Sequence, residues 1–81
     1  MEKEQIASKV KEIIADKAGC EISEVKDDTN CENELGMDSL DRAEVIMELE
    51  KEFNIDVPDE EYSNARTTTD FIGIVERNKK L

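Results

Sequence analysis

The chain is 81 residues long, enough for one small domain with a thin core and modest stability. Its 11 Lys and Arg stand against 22 Asp and Glu, a net charge of −11, so nucleic acid and anionic lipid are repelled and basic protein surfaces are the natural partners. With no His and no Trp the common general base of enzymes is missing; carboxylate and Ser/Lys chemistry stays formally open, but the composition reads as a passenger or ligand, not an enzyme.

From Gln5 to Lys17, Ile6, Val10, Ile13 and Ile14 recur at helical intervals with Ala7 at their edge, which predicts an amphipathic first helix closed by Gly19. Cys20 to Asp38 shows no clean period and is rich in Asp, Asn, Glu and Ser; it is expected to be a long loop with one helical turn near Ser23 to Val25. A loop of that length inside a compact domain is usually functional. A second helix is expected over Ser39 to Phe53, with Asp38 as N-cap, Asp41 completing an approximate capping box and Asn54 as the stop. Pro58 suits the first residue of a short third helix through Tyr62, whose first turn carries Asp59, Glu60 and Glu61. Arg66 to Thr69 reads as a polar connection. The last helix is placed at Asp70 to Asn78, with Phe71, Ile72, Ile74 and Val75 apolar and Lys79 and Lys80 complementing its negative end. Strand alternation appears nowhere, so the expected class is all-α: a bundle of three main helices plus one short helix, in a single domain over residues 1–81.

Cys20 and Cys31 have no metal-motif spacing and no secretory signal precedes them, so both are expected to be reduced and partly buried thiols. No apolar run approaches the ~20 residues of a membrane span. The start Met-Glu-Lys-Glu is too acidic for a transit peptide, and a soluble, cytoplasmic monomer is expected.

On a helical wheel starting at Ser39, Val45, Ile46, Leu49 and Phe53 fall between about 240° and 340° and make a core face. Leu40, Ala43 and Met47 fall between about 40° and 100°, nearly opposite, so they form a second apolar patch at the surface. Glu44, Glu50 and Lys51 flank it, and Asp41, Glu48 and Glu52 make a third, acidic face. A Leu/Ala/Met stripe rimmed by charge has the character of a docking site, with Met giving adaptable packing. Ser39 heads the same surface at a helix N-terminus, where free backbone N–H groups and the dipole favour a phosphate on a hydroxyl. By chemistry alone a serine there is more often a plain first-turn residue.

The run Leu35-Gly36-Met37-Asp38-Ser39-Leu40-Asp41, then Glu44 to Phe53, then Val57-Pro58-Asp59-Glu60-Glu61, closely resembles the acyl carrier proteins of type II (dissociated) fatty acid synthesis. The resemblance covers nearly the whole chain. It implies an acyl-carrier-like four-helix bundle in which Ser39 receives 4'-phosphopantetheine from coenzyme A by a phosphopantetheinyl transferase, with Mg²⁺ acting in the transferase. Asp38 would support that site. The resemblance also makes Leu40, Asp41, Ala43, Glu44, Met47 and Glu50 the docking positions for basic patches of fatty acid synthesis enzymes and acyltransferases. The arm's thiol would carry the growing acyl chain as a thioester, sheltered between the second and third helices, and the carrier itself would not be an enzyme. A carrier for polyketide or aminoacyl intermediates keeps the same serine and arm and is the alternative; an unmodified acidic adaptor is a third reading.

The acidic loop Asp27, Asp28, Asn30, Glu32, Glu34 invites a calcium reading, but it lacks the glycine and bidentate Glu of an EF-hand; only loose divalent binding is expected of it. Several positions depart from the family pattern. Ala18, Cys20, Cys31 and Ala65 stand where such carriers commonly have bulky apolar residues, Lys51 where an acid is usual, and Phe71 where a small residue is frequent. Lys51 opposes a basic enzyme patch and would shift partner choice. Each missing methylene removes about 0.8 kcal/mol of burial. A low thermal midpoint, or an acyl cavity of altered shape, is the expected consequence; thermal unfolding with a high midpoint, together with ordinary affinity for long acyl chains, would rule out both.

Overall fold

A computed structural model describes residues 3–79; Met1, Glu2, Lys80 and Leu81 lie outside the described residues, and with them the role expected of Lys80. Helix α1 spans Lys3–Ala18 and buries Ile6, Val10, Ile14 and Ala15 on one face, with Ala7 and Ile13 at its margin. Gly19 ends it at φ 75°, and the amides of Gly19 and Cys20 both donate to the Ala15 carbonyl, at 2.8 and 3.0 Å. This is the left-handed closure that glycine makes without a Cβ penalty.

The segment expected to be a loop carries more structure than its pattern suggests. A 3-10 turn stands at Ile22–Glu24, one residue ahead of the expected turn, and a short helix α2 forms at Cys31–Leu35. α2 is too short to show a hydrophobic period, and local polar groups delimit it. Asn33 N–H donates to the Asn30 side chain at 2.9 Å, Asn30 N–H donates to Glu34 at 2.9 Å, and Gly36 closes the helix at φ 69°. The rest of its definition is tertiary. Cys31 N–H donates to the Arg66 carbonyl at 2.7 Å, Thr68 N–H to that of Thr29 at 3.1 Å, and Asn30 forms an antiparallel bridge with Thr67. With Val25, Thr29, Cys31 and Met37 buried, the connection is stitched to the far side of the bundle.

Helix α3 covers Ser39–Phe53 as expected and stops at Asn54, which takes the left-handed conformation at φ 56°. Helix α4 is Asp59–Tyr62. Pro58 precedes it as N-cap instead of opening it: its φ of −64° suits either place, but its ψ of 150° is extended. Helix α5 runs Thr68–Asn78, two residues longer at its start than the expected Asp70. Thr67 is its N-cap, its hydroxyl accepting from Asp70 N–H at 3.2 Å, while Asp70 accepts from the amides of Thr67 and Arg66 at 3.1 and 2.9 Å. The polar run Arg66 to Thr69 is therefore a capping box and first turn. α1 packs against α3 and α5, and α4 leans on both α3 and α5. Val10, Ile14, Val45, Leu49, Phe71, Ile74 and Val75 form the fully buried centre. Among the described residues there is no strand and no helix long and apolar enough to cross a membrane.

Partial burial pushes the Asp70 carboxyl up, but the N–H groups of Arg66 and Thr67 and the Thr67 hydroxyl outweigh it and hold it below its ordinary value. A carboxyl held low in the folded state contributes stability that is present above its unfolded pKa, ~3.9, and lost as pH falls through the folded value. Asp70→Ala is therefore expected to lower the thermal midpoint by several degrees at pH 7. That deficit should shrink as the pH drops below about 4, as unfolding curves of both proteins across the range will show.

Candidate functional site

The head of α3 is held from both sides. Upstream, Gly36 turns the chain out of α2, and Met37 inserts into the core, 3% exposed, with its N–H donating to the Cys31 carbonyl at 3.1 Å. Downstream, Asp38 and Asp41 form a reciprocal capping box: Asp41 N–H donates to Asp38 Oδ1 at 3.0 Å, and Asp38 N–H to Asp41 Oδ2 at 3.3 Å. Ser39 is thus an exposed first-turn residue on a rigidly defined helix start. The cap uses the third amide of the helix, while the amides of Ser39 and Leu40 meet no acceptor among the described residues. They leave the positive end of α3 open beside the Ser39 hydroxyl.

The expected docking residues separate into two groups. Leu40 and Met47, 66% and 61% exposed, lie one above the other on the outer side of α3, with Ala43 half-buried beside them. The acids are less free. Asp41 serves the cap. Glu44 is paired with Lys17 of α1 at 3.0 Å, a bond that raises the lysine above its ordinary pKa. Glu50 accepts from Val57 N–H at 2.9 Å and so ties α3 to the segment leading into α4. Lys51 is exposed.

Arg42 escaped the sequence reading. It sits at about 300° on the same wheel, inside the arc of Val45, Leu49 and Phe53, and a cation in a core stripe is the signal that marks it. Its Nε is buried and has no hydrogen-bond partner among the described residues. Its charge reaches Tyr62 on α4, where it counters Asp59 and Glu50.

The thiols do not belong to this site. Burial pushes Cys31 up to about 11, the Thr68 hydroxyl offsets it only in part and the Asp70 and Glu34 carboxylates add to it, so it stays a protonated core residue at neutral pH. Cys20 is also free, half-buried, and raised by burial and by Glu24 and Glu21. Two clefts, of about 420 and 370 Å³, flank Gly73 and are lined by α1, α5 and the loops and by α4's Glu61, with no α3 residue. Among the described residues no three His, Cys, Asp or Glu side chains are grouped to hold a metal ion.

A helical bundle that offers an exposed serine at a capped helix head, beside uncommitted amides and an orphaned guanidinium donor, has the features of a carrier for a phosphate-linked arm. Residues 8–75 match the family described as the phosphopantetheine attachment site, and the chain belongs to that family, the acyl carrier proteins. Its cofactor is 4'-phosphopantetheine, and such domains carry, and do not catalyse. The fold is shared with the apo doublet acyl carrier protein from prodigiosin biosynthesis, solved in solution, at a TM-score of 0.81 and 24% identity. That likeness covers 96% of this chain and 38% of the other.

Glu44 and Glu50 are expected to behave differently when truncated. Glu50→Ala strands the Val57 amide and should cost about 1 kcal/mol in urea unfolding. Glu44→Ala loses only a half-exposed ion pair and should change stability by less than about 0.5 kcal/mol.

Proposed function

We propose that Ser39 is the attachment residue and that the chain carries fatty acyl intermediates of a dissociated synthase. The observation that carries the reading is the placement of an exposed serine on the capped head of an acidic helix, with Leu40 and Met47 bare on the same helix. In the modification, Ser39 Oγ attacks the phosphorus of coenzyme A's pantetheine phosphate. The Oγ–P bond forms, the pyrophosphate P–O bond breaks, adenosine bisphosphate leaves, and the hydroxyl proton passes to the transferase. Asp38 and Asp41 hold the helix start that presents the hydroxyl, and the N–H groups of Ser39 and Leu40 favour the charge that arrives.

Leu40, Ala43 and Met47 then offer partner enzymes an apolar contact, and the surplus of carboxylates steers the carrier to basic patches. The core under α3 is closed, with Val45 and Leu49 fully buried, so an acyl chain entering between α3 and α4 has to part them. α4 is the element suited to yield: four residues with none buried, held by the Glu50 latch and by Glu61, which accepts from Arg77 and Asn78. A carrier of polyketide or aminoacyl cargo is the second reading, favoured by the cation Arg42 on the face where a plain alkyl chain would prefer none.

Intact mass after incubation with coenzyme A, Mg²⁺ and a broad-specificity transferase tests the attachment. The wild type is expected to gain one phosphopantetheine group and Ser39→Ala none; gain on both, or on neither while folded, would overturn the assignment. The mass of the thioester on protein purified from its own cells separates alkyl cargo from aminoacyl or polyketide cargo.

A further inference from the structure

Between Lys26 and Lys51 the chain holds nine Asp and Glu and a single cation, Arg42. That cation lies three residues after Ser39, and residues so spaced are neighbours on a helix face, with Cβ atoms about 5–6 Å apart. The Cα–Cβ bonds of a helix tilt toward its N-terminus, so the stem of Arg42 starts toward the turn that carries Ser39, on the flank of α3 where its charge also reaches Tyr62. Its Nε–H is buried without an acceptor, which a folded protein tolerates poorly unless a further partner arrives. Among the described residues no carboxylate closes an ion pair on it, although Asp38, Asp41, Asp59 and Glu50 belong to the elements around it. A phosphodiester on Ser39 would add a negative charge directly beside Asp38 and Asp41, and the planar fork of a guanidinium is the side chain best matched to such an oxyanion.

Resting on Ser39 as the attachment residue, we propose that Arg42 receives the phosphodiester of the arm through its Nε–H, and so fixes the direction in which the arm leaves the head of α3. Arg42 is thereby a positioning residue, taking no part in acyl transfer.

The test uses ¹⁵N-labelled full chain before and after modification, with conversion followed by intact mass. In the fully modified protein the Arg42 Nε–H resonance is expected to move and its solvent exchange to slow by at least ~10-fold, in keeping with a charge-assisted hydrogen bond. The ³¹P resonance of the arm should shift in Arg42→Gln and Arg42→Lys, each checked for an unchanged backbone spectrum. An Arg42 Nε–H signal that stays in place and exchanges at its original rate in fully modified wild type overturns the proposal, whatever the variants do. Absence of any mass gain would instead overturn the attachment reading beneath it, and with it this inference.

Discussion

The geometry at the head of α3 depends on one constraint: the chain must enter the helix at a fixed residue. Asp38 and Asp41 satisfy each other's backbone amides, and Met37, buried immediately before them, prevents the helix start from sliding by a residue. A one-residue shift would rotate α3 by about 100°, taking Val45, Ile46, Leu49 and Phe53 out of the core and turning Ser39 away from the free amides. Core packing and presentation of the serine are therefore the same geometric decision.

Electrostatics shapes what remains. Cations are scarce, and Lys9, Lys11, Lys17, Arg66 and Arg77 are each set against a carboxylate from another element. Such half-exposed pairs add little stability singly, but they place positive charge at the seams between elements and leave the outer surface acidic. Arg42 stands outside that pattern as an exception of another kind, a cation on the inner arc of α3 whose buried donor has no partner among the described residues. In a family whose prosthetic group is linked through phosphate, that exception sits one helical turn from the residue to which the phosphate would be bonded.

The bundle is also uneven in how firmly its parts are held. α1, α3 and α5 share the buried centre, and the α1–α3 connection is fastened to the start of α5 through Thr29, Cys31 and Thr68. α4 contributes no fully buried residue: Tyr62 packs partly buried against the core, and polar latches hold the helix at Glu61 and, through Val57, at the segment leading into it. Strength on one side and a yielding flank on the other is the arrangement a carrier needs if it is to protect a cargo and still release it.

Much of this was legible in the sequence because it depends on local pattern. The faces of α1, α3 and α5 follow from a 3.6-residue period, the stops at Gly19 and Asn54 from residues that accept a positive φ, and the exposure of Leu40 and Met47 from their position opposite the core stripe. Ser39 stood out through its neighbours in the motif. What tertiary structure decided lies where the partners are distant in sequence. α2 exists because Cys31 and Thr29 bond to the chain around Arg66 and Thr68, Glu50 is committed to the Val57 amide, and Glu44 to Lys17. The isolation of Arg42 likewise emerges only once burial is known, since a sequence shows that a cation is present but not that its donor has been shut away from water.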